Sequence, residues 1–255
     1  MKHLIIPDTQ VKPDQDLRRF HWLGKYIVDK KPDVIVHIGD HWDMPSLSSY
    51  DVGKKEYEGR RYLRDVASGN EAMTILMSYI EEEKAKRIHD KKKRWNPRLV
   101  FTTGNHEYRI DRAVNSDSKL DGLLTMDDLN LEGWEVHPFL QPVVIDGVAY
   151  CHYFTSGVMG RAVGTARLMM TKKMMSCVQG HVQDRDIAYG RRGDGSTITA
   201  LFAGIFYEHD ESYLTPQTNG SWSGVWMLND VVNGSFDEMP ISIKYLQRKY
   251  GSKGE

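Results

Sequence analysis

An α/β domain with two packed β-sheets is the fold class that this sequence predicts, and three observations point to it. Over the N-terminal third, short β-branched runs alternate with amphipathic helical stretches, the pattern of a sheet covered on both faces. The second half turns strand-rich after Asp146-Gly147, a strong hairpin signal. No linker or internal repeat divides the halves, so one domain over residues 1–250 with a loose tail at 251–255 is expected.

Leu4-Ile5-Ile6 reads as a buried first strand. Residues 15–30 follow as a helix, because Leu17, Phe20, Leu23 and Ile27 recur three or four apart. Pro32-Asp33 introduces a second strand at 34–38, and residues 71–94 carry a long helical pattern. A third strand over 99–102 comes after Pro97, with a helix starting from Glu107. The hairpin pairs 143–145 with 148–150, and one further helix is expected across 161–175. Strand-like runs at 176–179, 185–190, 197–203, 225–232 and 241–246 close the chain, separated by Gly, Asn and Asp. The methionines at 169–175 suit a core, where Met fills irregular gaps.

Composition removes several classes. A chain of 255 residues buries a core without disulfide staples, and Cys151 and Cys177, each in an apolar run, read as reduced core thiols. No window reaches the ~20 apolar residues of a membrane span, and the apolar stretch in Met1–Pro7 is too short for a signal peptide. A soluble cytoplasmic protein is therefore expected. With 34 Lys+Arg against 35 Asp+Glu the chain is not a uniformly basic nucleic-acid binder, although net charge says nothing about local patches.

Polar clusters stand at the ends of successive strands. Asp8-Thr9-Gln10 ends the first, Gly39-Asp40-His41-Trp42-Asp43 the second and Gly104-Asn105-His106-Glu107 the third. His152 closes the strand after the hairpin, and Gly180-His181-Val182-Gln183 closes the next. A single Asp in such a place is ordinarily a turn or cap residue. Five clusters at five strand ends fit one site, since α/β sheets bind ligands beyond the carboxyl ends of their strands. The glycines before Asp40, Asn105 and His181 are expected to let the backbone turn sharply there.

The series D-x-(H/Q), GDxxD, GNHE, a lone His and GHx(H/Q), spread over residues 8–183, resembles the calcineurin-like metallophosphoesterases. The DTQ, GDHWD and GNHEYR wording is most similar to members encoded by bacteriophages. The resemblance implies a four-layer α-β-β-α sandwich of two mixed sheets flanked by helices, with a two-metal site at the strand ends. It implies that Asp40 bridges both ions, that Asp8 binds the first, and that Asn105, His152 and His181 complete the second. His106 would stand beside the scissile phosphate and assist the leaving group, with Asp43 on its other nitrogen favouring the protonated form. Two cations about 3.5–4 Å apart clamp a phosphate and activate a bridging water for in-line attack.

Gln10 and Gln183 occupy positions where many members place histidines, and both belong to the first metal. That site would be all oxygen, which favours Mg²⁺, Mn²⁺ or Ca²⁺, whereas the second keeps two imidazoles and suits Mn²⁺, Zn²⁺ or Fe. Two divalent ions are expected, one tight and one weaker, with Mn²⁺ satisfying both sites best; a vacant first site is the alternative.

Other signals are weaker. Residues 84–98 hold eight Lys/Arg, including Lys91, Lys92, Lys93 and Arg94, and read either as a nucleic-acid footprint or as a solvated helix face. Arg109 and Arg112 follow GNHE and are either phosphate ligands or surface charges. Gly157, Gly160 and Gly164 read as a loop ahead of a helix whose start can receive an anion. Tyr207-Glu208-His209-Asp210 and the 215–224 loop with Trp222 either line a substrate groove or form sheet-edge loops.

Taken together these readings favour a metal-dependent phosphodiesterase acting on DNA, most simply an endonuclease or nickase. A phosphomonoesterase or small-molecule phosphodiesterase is the alternative, followed by a nucleic-acid-binding protein with a decayed metal site. A protein phosphatase fits less well, because Met44-Pro45 stands where those enzymes usually have Arg-Gly after GDxxD. Asymmetry between the sites has a direct check. The double variant Gln10→His/Gln183→His should change metal preference toward imidazole-loving ions in a metal titration, and an unchanged preference would sink the asymmetry.

Overall fold

Strand alternation builds the layers. The computed structural model describes residues 1–49, 51–53, 55–208 and 222–252. Its elements in order are β1 (His3–Ile6), α1 (Arg18–Lys30), β2 (Val34–His37), α2 (Tyr62–His89), β3 (Arg98–Thr102), α3 (Arg109–Ser116), β4 (Glu135–His137), β5 (Val143–Ile145), β6 (Val148–Tyr150), α4 (Ala166–Lys173), β7 (Ser176–Gln179), β8 (Arg185–Arg191), β9 (Thr197–Ala203), β10 (Gly224–Val232), β11 (Ser235–Ser242) and α5 (Ile243–Tyr250). One sheet runs β11-β10-β1-β2-β3-β4 and the other β5-β6-β7-β9-β8, both mixed.

Successive residues of a strand face opposite ways, and here each way is a different core. Leu4 and Ile6 of β1 pack with Leu23 and Ile27 of α1 and with Leu76 and Ile80 of α2. Ile5, between them, joins Val36, Val100 and Trp226 against Tyr150, Val178 and Leu201 of the second sheet. The far face of that sheet, through Cys177, Ala200 and Phe202, meets Ala166 and Met169 of α4. The result is helices, sheet, sheet, helix: the four-layer sandwich. Both cysteines are free and buried, as expected of core thiols.

Several boundaries differ from expectation. The long helix begins at Tyr62 rather than 71, because Gly69 lies against the Trp42 indole instead of breaking the helix, and it ends at His89, before left-handed Lys91. The run at 241–246 is not a strand. Its first two residues end β11, an edge strand that tolerates Pro240, and Ser242 then caps α5 by accepting from the Tyr245 N–H. The helix expected over 161–175 is confined to 166–173, and Met174 is exposed at its left-handed C-cap rather than in the core. The N–H of Ala166 is already taken by the Asp186 carboxylate, so an anion finds that helix start occupied. No helix among the described residues is long and apolar enough to cross a membrane.

Gly69 sets a stability test. A Cβ there would fall 1.9 Å from Trp42 Cδ1. Helix propensity alone favours Ala by about 1 kcal/mol, whereas overpacking costs about 1–3 kcal/mol. Gly69→Ala is expected to lower the thermal midpoint; a rise would contradict this packing.

Candidate metal centre

The strand ends bring their clusters together where the two sheets meet. Asp8 and Gln10 leave β1, Asp40 and Asp43 follow β2, Asn105 and His106 follow β3, His152 follows β6, and His181 and Gln183 follow β7. Gln10, Asp40, His181 and Gln183 all hold left-handed backbone, with φ of 39°, 49°, 66° and 58°. Non-glycine residues rarely do so, and such strain gathers at functional sites. Gly39, with φ 88°, makes the sharp turn expected of it. Gly104 and Gly180 serve differently, by making room: a Cβ would lie 2.1 Å from Asp40 Oδ1 at Gly104 and 2.2 Å from Asp8 Oδ1 at Gly180.

Ligand atoms of Asp40, His152 and His181 lie within 4.8 Å of one another. His152 Nδ1 is 2.9 Å from the Ile38 carbonyl, so that nitrogen carries the hydrogen. Its Nε2 then faces two oxygens, Asp40 Oδ2 at 3.2 Å and Asn105 Oδ1 at 2.9 Å. A lone pair aimed at two acceptors is repulsive, and a proton or a cation between them relieves it. Burial opposes a charge on His152, but the Asp40 carboxylate outweighs it and lifts the imidazole to about 9. Burial and the charged His152 push His181 the other way, to about 4, leaving a neutral ring. Burial, helped by the Asp40 charge, raises Asp8 to about 7, and the His181 N–H meets both its oxygens at 3.1 Å. Asp40 itself is held far below the carboxylate range, His106 and His152 overcoming the cost of burial. Buried oxygens and imidazoles in this arrangement fit a divalent cation, with the Nδ1–H to carbonyl bond as outer support.

His106 flanks this cluster. Its Nδ1 lies 2.7 Å from Asp43 Oδ1, and its Nε2 points inward, 3.7 Å from Asp40 Oδ2. Burial disfavours the imidazolium, but Asp40 and Asp43 together raise its pKa. Arg109 lies beside the ring, Nη2 at 3.2 Å from Nε2, and spends Nη1 on the Asp43 and Met44 carbonyls. Arg112 reaches Ser49 Oγ at 3.2 Å. Gln10 donates its backbone N–H to the Asp40 carbonyl at 2.9 Å, and Gln183 is buried two residues past His181.

The basic segment is not brought to this site. Lys91–Arg94 precede β3, where Trp95 donates to the Pro32 carbonyl and the Arg98 N–H to the Asp33 carbonyl. The whole of β3 separates them from Asn105. Of the later aromatic candidates, Tyr207 is buried and Trp222 packs on Trp226 at 5.2 Å, while His209, Asp210 and residues 215–221 lie outside the described residues.

The motifs assign the supporting residues no role, although His41 and Glu107 stand within them. Glu107 is fully buried and accepts four backbone N–H groups: Asp40 and Gly104 on Oε2, His41 and Trp42 on Oε1. Burial and the Asp40 charge raise its carboxyl to about 7, whereas these donors favour the carboxylate. His37 accepts from the Gly39 N–H at Nδ1 and lies 3.2 Å from His41 Nδ1; His41 Nε2 in turn meets the Gly69 carbonyl of α2. Arg19, also buried, donates to the Thr9 carbonyl at 3.1 Å. For Glu107 the available signal was its place directly after His106.

Comparison with known proteins gives loose likenesses. A stretch of 62 residues is 40% identical to the Gene 54 protein of Mycobacterium phage L5, spanning 24% of each chain, so the match covers about a quarter of that relative's length. No protein-family model matches the chain. Among solved structures, YfcE, a phosphoesterase from E. coli, overlaps with a TM-score of 0.39 at 14% identity, over 95% of this chain and 100% of its own. A conserved uncharacterized protein of Streptococcus pneumoniae, described as a predicted phosphoesterase, overlaps at 0.35 and 12%, over 94% and 99%. Overlap this loose leaves the site's own geometry to carry the functional reading.

The His106–Asp43 contact predicts a pH signature in metal-free protein. A histidine raised above its ordinary 6.5 adds stability that is fully present below that pH and is lost as pH climbs through the raised value. Asp43→Asn should lower the His106 pKa in an NMR titration and cost most stability below pH about 6.5. An unmoved His106 titration would contradict the pairing.

Proposed function

We propose that this chain is a metal-dependent phosphoesterase of the calcineurin-like type that hydrolyses phosphodiester bonds in nucleic acid, most simply as a DNA endonuclease or nickase. The observation that carries the reading is His152 Nε2 facing both Asp40 Oδ2 and Asn105 Oδ1 across a buried gap that a cation would close. The motif wording over residues 8–183, most similar to phage-encoded members, supports nucleic acid as substrate; the basic segment, distant from the site, does not.

Asp40, Asn105, His152 and His181 would hold one divalent ion, and Asp8, Gln10 and Gln183 a second one shared through Asp40. Manganese suits both donor sets. Bound cations supply the charge that draws in a phosphate and lowers the pKa of water. The chain's own groups then do the rest. His106, oriented by Asp43 through Nδ1, presents Nε2 toward the cluster, where it accepts from Arg109 Nη2, and its raised pKa lets Nε2 take up a proton for the departing oxygen. Asp43 acts through His106 as a positioning residue. Arg109 braces the turn that carries Asp43 through two carbonyls, and it checks the His106 proton affinity by its charge.

One assay tests this: purified protein with supercoiled plasmid, a mononucleotide or a phosphopeptide, each with Mn²⁺ or Mg²⁺. The expected result is conversion of plasmid to open circle, abolished in Asp40→Asn and slowed about 10²–10⁴-fold in His106→Ala, the usual worth of a general acid. Turnover of the mononucleotide or phosphopeptide with intact plasmid would overturn the nuclease reading. Plasmid binding without cleavage under either ion would point to a decayed site.

A further inference from the structure

One side of the metal centre is walled by aromatic rings that the hydrolytic chemistry leaves without a role. Tyr108 and Phe139 stack with centroids 4.8 Å apart and planes 25° from parallel. Phe139 meets Tyr153 edge-on at 5.5 Å, and Tyr153 lies 4.6 Å from the His181 ring. Phe139 also approaches His152, at 6.4 Å. The three rings come from three separate connections: the turn before α3, the β4–β5 loop and the end of β6. None is a core residue; all three are only half-buried, although the chain buries its other large rings beside the site, Trp42 and Phe206, completely. Tyr153 is steadied by donating its hydroxyl to the Gly160 carbonyl at 3.3 Å.

We propose that the Tyr108–Phe139 pair, continued by Tyr153, is a stacking subsite for an unpaired nucleobase adjoining the phosphate at the metal centre, so that the substrate is single-stranded or locally unpaired nucleic acid. This inference rests on the phosphoesterase reading above. Every base has a π-face, and a half-buried aromatic wall offers it a partner worth about 1–3 kcal/mol by alanine substitution. A base inside a duplex is stacked on its neighbours and cannot reach a wall beside the reacting phosphate unless it leaves the stack. Positive charge is close in the chain: α3, which begins directly after Tyr108, carries Arg109 and Arg112. An aliphatic phosphoester offers no π-face to three adjoining rings.

The test compares binding of dAMP and 2-deoxyribose 5-phosphate to the Mn²⁺-supplemented protein by calorimetry. Wild type should bind dAMP about 5–150-fold more tightly, the affinity equivalent of one stacked base. Tyr108→Leu/Phe139→Leu keeps apolar bulk while removing the π-faces. In it the ratio should fall toward one while affinity for 2-deoxyribose 5-phosphate and for Mn²⁺ is retained. Equal affinities in wild type, or a preference that survives the double variant, would overturn the subsite and leave the phosphoesterase reading standing. If Mn²⁺ binds but neither phosphate does, that reading fails and takes the subsite with it.

Discussion

The contact between the Asp40 carboxylate and the His152 imidazole, buried between two sheets, is the interaction on which the rest of the site depends. An unpaired carboxylate in such a place would be costly. The fold offsets that cost by aiming imidazoles at it from β6 and β7 and a backbone N–H from His106. Asp8 adds a second buried carboxylate, raised by burial and by the Asp40 charge. Two acids and two imidazoles in one largely buried cluster form an assembly whose electrostatics balance best around a cation. The same balance assigns opposite tasks to three histidines. His181 is driven neutral and suits ligation, His152 is held at a proton-or-cation position, and His106, paired with Asp43, retains a proton at the rim.

Strained turns need reinforcement, and the surrounding residues supply it. Glu107 gathers four N–H groups from the two loops that carry Asp40 and Asn105, fixing their relative placement with one side chain. His37 and His41 link the Asp40 turn to the Gly69 carbonyl of α2, and Arg19 ties the Thr9 carbonyl to α1. Helices α1 and α2 therefore each brace a strand end. Removing a side chain from this frame would be felt as displacement of a ligand turn rather than as a simple cavity.

What was legible in the sequence was what is local. Strand-end clusters such as Gly39–Asp43 and Gly104–Glu107 announce themselves because the strand, the turn and the polar group are contiguous. The order of these clusters places the site, and alternation in β1, with Ile5 facing away from Leu4 and Ile6, places the layers. What stayed hidden depends on distant partners. The expected start of the long helix at 71 gives way to Tyr62 once Gly69 is seen to lie within it against Trp42. Ile241-Ser242-Ile243 alternates like a strand until Ser242 is seen to cap a helix. Whether Lys91–Arg94 form a nucleic-acid footprint or a solvated helix face is not written in the segment itself, and only the fold places them before β3, at its end away from Asn105. The rings of Tyr108, Phe139 and Tyr153 are scattered in sequence and adjoin only after folding.

The central claim is that a proton and a divalent cation compete for the place between His152 Nε2 and Asp40 Oδ2. Proton release on metal binding tests it most directly. Mn²⁺ is titrated at pH about 7 in buffers of different ionisation enthalpy, for wild type and for His152→Ala. The account predicts that wild type releases a proton on binding and binds more tightly as pH rises toward about 9, the raised value of His152, and that His152→Ala loses both affinity and this proton release. Binding with no proton release, or undiminished in His152→Ala, would contradict it.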